Sequence, residues 1–141
     1  MIQQKPTVVL VHGAFAESAS WTVVIEELQA NAVPVVAVAN PLRSLPGDAA
    51  YVRDVLAGID TPVVLVGHSY GGMVITEAAG GDKVAGLVYV CAFAPEQGES
   101  AFALSTKFPG STLGDALTAY PVTTGAVEQS ISILRKALGG N

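Results

Sequence analysis

Ser69 stands in the run Gly67-His68-Ser69-Tyr70-Gly71, directly after the aliphatic stretch VVLV and directly before GMVITEAA. This is the G-x-S-x-G pattern, with strand-like residues on one side and helix-like residues on the other. A serine on so tight a turn is lifted clear of the sheet, and the small residues Gly67 and Gly71 make room for it. The helix that follows directs unpaired N–H groups and its positive dipole end at the hydroxyl, so negative charge developing there is stabilised. Nucleophilic attack on a carbonyl carbon is the chemistry this arrangement suits.

Such attack needs two backbone N–H donors around the oxygen that becomes negative. One is the amide of Tyr70, the residue after the serine. The other is expected from the stretch VLVHGAFAES, residues 9 to 18. There His12 and Gly13 close a strand and Ala14, or in second place Phe15, presents its N–H. A serine also needs a base, usually a histidine. The chain has two histidines, His12 and His68, and both precede Ser69. Neighbouring side chains on an extended segment point to opposite faces, so His68 should look away from Ser69 and pack as a structural residue. His12 is expected to brace the loop carrying Ala14, with a makeshift base as its second reading. Glu96 and Glu99 read as solvated loop residues, and Cys91 as a small core residue in an apolar strand.

The elements that position these residues follow from hydrophobic patterning. TVVLV (7–11), VPVVAVA (33–39), PVVLV (62–66) and VAGLVYVCA (84–92) are continuous apolar runs, as strands buried on both faces should be. Between them, SWTVVIEELQA (20–30) has helical spacing with Ser20 as N-cap, AAYVRDVLAGI follows a proline-rich turn, and GGMVITEAAG begins at the serine. Alternation of this kind implies an α/β fold with a parallel sheet and helices on both faces. After Pro95 turn-formers dominate, until VEQSISILRKALGG regains helical spacing at Val127, Ile131, Leu134 and Leu138. The expected organisation is therefore a core over residues 1–94 and a partial lid with an amphipathic tail helix over 95–141.

Bulk properties narrow the function. A chain of 141 residues, half of them hydrophobic, suffices for one core. Its net charge of −5 argues against nucleic acid, and no run of 18 apolar residues suggests a membrane span. A single cysteine leaves no internal disulfide or cysteine metal cluster, and the N-terminal residues do not read as a signal peptide, so a cytoplasmic setting is expected. No G-x-G-x-x-G follows the first strand and no P-loop lysine is present, which counts against nucleotide binding.

VVLVHGAFAESASW, VVAVANPLRSL and VVLVGHSYGGMVITEAA together resemble the α/β-hydrolase superfamily, in its small esterase and hydroxynitrile-lyase-like branch. The likeness runs from about residue 5 to 120 and includes YVCAFAPEQGES. It implies sheet order 2-1-3-4, a serine nucleophile, small apolar ester-like substrates, and neither cofactor nor metal. In that superfamily the acid and the histidine follow the serine in chain order, and here no histidine does. The resemblance thus implies a truncated core whose triad is incomplete, and weak hydrolysis at best. The departure of the tail TTGAVEQSISILRKALGGN from the family pattern suggests a frameshifted or otherwise shortened gene, with a purposely minimal protein as the alternative. A catalytically silent remnant or a small-ligand binding module is the competing function; a hydroxynitrile-lyase-like reaction meets the same gap. The apolar edge of the fourth strand is expected to self-associate, as a homodimer or as aggregates.

Overall fold

A computed structural model describes the backbone of residues 4–124 and 127–134, and side chains through residue 118. Two compact units divide at Ser105 and Thr106. The first holds four parallel strands, β1 (Thr7–Val11), β2 (Val35–Val38), β3 (Val63–His68) and β4 (Val84–Val90), in the order β2-β1-β3-β4. Helix α1 (Thr22–Ala30) links β1 to β2, α2 (Leu45–Ala57) links β2 to β3, and α3 (Gly71–Ala78) links β3 to β4. This is the α/β architecture and the strand order expected from the sequence.

Register explains how the core forms. Val9 of β1 pairs with Val36 and Leu65, and Val11 pairs with Val38 and Gly67. Residues paired across parallel strands share a face, so these side chains make one apolar surface. Against it α2 and α3 set Ala49, Val52, Leu56, Val74, Ile75 and Ala78, all buried. β3 shows the alternation directly: Val63, Leu65 and Gly67 are buried, while Val64, Val66 and His68 on the other face are only partly so.

The element boundaries correct three expectations. Ser20 does not cap α1; it lies in a 3-10 turn (Ser18–Trp21) and its Oγ donates to the Glu17 carbonyl at 2.6 Å. α2 starts four residues earlier than AAYVRDVLAGI, because Ser44 caps it by accepting from the Gly47 N–H at 3.2 Å and Pro46 fits its first turn. Cys91 is not a core residue: β4 ends at Val90, and Cys91 follows it exposed, with φ of 43°.

Beyond β4, α4 (Ala101–Thr106) runs up to the division, and the second unit contains α5 (Leu113–Ala116) and an antiparallel pair, β5 (Leu117–Thr124) and β6 (Val127–Leu134). The tail helix expected over this stretch is therefore not found at Val127–Leu134, where the chain is a strand. The reason lies in a second periodicity: Val127, Gln129, Ile131 and Ile133 alternate with Glu128, Ser130 and Ser132, and β-branched residues favour the extended form. The helix positions beyond Leu134 lie outside the described residues. Among the described residues no helix is long and apolar enough to cross a membrane.

Candidate functional site

Ser69 occupies the turn between β3 and α3 with φ of 53°, in the left-handed region that side-chain-bearing residues seldom adopt. Such a conformation stores about 1–3 kcal/mol and persists only where surrounding structure imposes it. Here the constraint is visible. The Ser69 carbonyl accepts from Gly72 N–H at 3.0 Å and from Phe93 N–H at 3.1 Å, tying the turn to the loop after β4. A Cβ on Gly67 would lie 2.6 Å from the Gly71 carbonyl, and one on Gly71 would strike the Val11 carbonyl oxygen. No side chain fits at either position without shifting backbone, so these two glycines let α3 press against the end of β1.

Gly13 brings the loop after β1 to the serine: a Cβ placed there would sit 2.9 Å from Ser69 Cβ. Ala14 follows in that loop, and Ala14 and Tyr70 line one small crevice of about 170 Å³ together with Leu42, Arg43 and Ser44. Among the described residues the N–H groups of Ala14, Phe15 and Tyr70 donate to no protein acceptor. Phe15 is exposed and is not part of the crevice wall.

His12 is buried, 3% exposed, and both ring nitrogens are engaged. Nε2 accepts the Asn40 backbone N–H at 3.1 Å, so the ring proton belongs on Nδ1, which donates to the Gly13 carbonyl at 2.9 Å. Asn40 Nδ2 donates to the His12 carbonyl at 3.2 Å and completes the clamp. His68 lies on the opposite sheet face with Val64 and Val66, edge-on to Trp21 with ring centroids 6.3 Å apart. Neither imidazole is brought to the serine hydroxyl by a described hydrogen bond.

The sequence reading missed two residues. Asn40 is one. Asp48 is the other: fully buried, it accepts from the Tyr70 hydroxyl at 2.9 Å and from the Arg43 backbone N–H at 3.0 Å. Burial, then the hydrogen bond and the charge of Asp48, push the Tyr70 hydroxyl well above the usual phenol range, so it stays a donor. A signal existed, since Asp48, Val52 and Leu56 follow at four-residue spacing and put the acid on the inward stripe of α2.

Residues 8–135 match the model of the alpha/beta hydrolase family. The chain belongs to that family. Among curated relatives of this α/β-hydrolase, a carbendazim hydrolyzing esterase of Nocardioides sp. (strain SG-4G) is 51% identical over 63 residues, covering 40% of this chain and 26% of the relative. Alpha/beta hydrolase nvfD of Aspergillus novofumigatus (strain IBT 16806) is 34% identical over 118 residues, or 68% of this chain and 46% of the relative. The chain thus spans less than half the length of either curated relative. The crystal structure of polyneuridine aldehyde esterase superposes with a TM-score of 0.74 at 26% identity, over 93% of this chain and 58% of that one. A pyrethroid hydrolase from Sphingobium faniae JZ-2 does so with a TM-score of 0.68 at 25% identity, over 82% and 52%.

Proposed function

We propose that this chain is a serine hydrolase of the carboxylic ester type, with Ser69 as nucleophile on a nucleophile elbow. The observation that carries the reading is the strained Ser69 turn at the end of a central strand, with the uncommitted amides of Tyr70 and Ala14 on one crevice. Esterases and hydrolases among the relatives support it. Ser69 Oγ attacks the ester carbonyl, and its bond to carbon forms as the carbonyl oxygen becomes an oxyanion held by the two N–H groups. Collapse breaks the carbon–alkoxy bond and releases the alcohol; water then hydrolyses the acyl-serine to the carboxylic acid.

Within these 141 residues the Ser69 proton goes to solvent, because His12 is held by Asn40 and Gly13 and His68 packs on Trp21. Loss of the triad histidine lowers turnover by about 10⁶-fold, while oxyanion hole and binding alone retain about 10³–10⁴ over water. Weak hydrolysis is the outcome expected of these 141 residues assayed by themselves. The engagement of both histidines also favours a second reading, a silent fold that binds a small apolar ligand in the crevice. Acid-quenched mass spectrometry after p-nitrophenyl acetate separates the two. An acetyl group mapped to Ser69 supports the hydrolase, and an unmodified Ser69 peptide leaves the binding module.

A further inference from the structure

The site contains one buried acid that the chemistry above does not use. Asp48 lies on the first turn of α2, wholly removed from solvent, and its two carboxylate oxygens serve two different pieces of the crevice. Oδ2 takes the Tyr70 hydroxyl at 2.9 Å, and Oδ1 takes the Arg43 N–H at 3.0 Å. Its own backbone N–H donates to the Ser44 carbonyl at 2.8 Å. A buried carboxylate is unfavourable unless such partners satisfy it, so the three segments are locked together where they meet.

We propose that Asp48 is a positioning residue for the reaction at Ser69, acting through Tyr70; this rests on the hydrolase reading above. Tyr70 carries the oxyanion amide on its backbone, and no side chain caps the helix it begins. The Gly72 and Phe93 N–H groups hold the Ser69 carbonyl side of the Ser69–Tyr70 peptide; the Tyr70 ring is the side-chain handle on its other end, and Asp48 grips the far end of that handle. With its other oxygen Asp48 holds the 42–44 turn, where Leu42 has φ of 57°, so the opposite crevice wall keeps its distance from Ala14. Interactions of this kind matter in proportion to how far the donor moves from the developing charge. A displacement of about 1 Å can lower the rate by about 10²-fold.

The test is steady-state p-nitrophenyl acetate hydrolysis by wild type, Ser69→Ala, Asp48→Asn, Tyr70→Phe and the double variant Asp48→Asn/Tyr70→Phe, each checked for folding by circular dichroism. Asparagine keeps the shape of Asp48 but only one oxygen acceptor. The expected result is a fall in kcat of about tenfold or more in each single variant with KM within about twofold, and a double variant no slower than the worse single. Unchanged kcat in the folded single variants, or independent effects that multiply in the double, overturns the proposal. Should Asp48→Asn not fold, Tyr70→Phe decides alone by the same split of kcat from KM. Failure of the hydrolase reading looks different: Ser69→Ala would then match wild type, and the positioning role would fall with it.

Discussion

The two faces of the sheet are finished to different degrees. On one, α2 and α3 bury Val9, Val11, Val38, Val63 and Leu65 completely or nearly so. On the other, α1 contributes no buried residue, Val88 and Val90 of β4 are 44% and 39% exposed, and the buried Trp21 indole N–H has no hydrogen-bond partner among the described residues. The site draws its rigidity from the closed face. Ser69, Tyr70, Asp48 and the glycines that seat them belong to the closed face or its rim, so packing and the hydrogen bonds to Ser69 and Asp48 together hold a strained serine there. His68, on the open face, is placed for packing against Trp21.

The comparison makes predictions of graded size. Leu65→Ala, at the centre of the closed face, is expected to lower stability by about 2–5 kcal/mol in urea denaturation. A loss under about 1 kcal/mol would mean that face is not the core it is described to be. Gly71→Ala drives a methyl into the Val11 carbonyl and should cost about 1–3 kcal/mol, read as a lower urea midpoint. Val88→Thr, on the open face, should change stability by no more than about 0.5 kcal/mol in the same assay.

A further contrast concerns pH. The Tyr70 hydroxyl has its folded pKa raised, by burial first and by Asp48 second. The folded state therefore holds this proton more tightly than the unfolded chain. Its contribution is fully present below the unfolded value of roughly 10 and is lost as pH rises through the folded value. Wild type should accordingly lose stability more steeply than Tyr70→Phe above about pH 10, as followed by urea midpoints. Parallel profiles for the two proteins would remove Asp48–Tyr70 from the set of interactions that distinguish the faces.

Much of this arrangement was legible in the residues. β1 ran as the pattern implied, and the parallel order followed from the family likeness once GHSYGG and VHGAF were read together. Gly13 approaches Ser69 closely, and Ala14 and Tyr70 line one crevice. What escaped the reading has physical causes. Pro46 and Gly47 look like turn residues, although proline is well tolerated at a helix start, so the pattern alone hides the first turn of α2 and Asp48 within it. VEQSISIL satisfies both a helical and an alternating spacing, and pairing with Leu117–Thr124 decided for the strand. Asn40 carries no motif; its role comes from β2 lying beside β1, a tertiary fact.

The most direct test of the account is the rate of p-nitrophenyl acetate hydrolysis by wild type and Ser69→Ala, prepared and assayed side by side. The account predicts slow turnover by wild type that falls in Ser69→Ala to what the oxyanion hole and binding alone leave, about 10³–10⁴ above water. Equal rates in the two proteins would contradict it: the Ser69 turn would then be family architecture without chemistry.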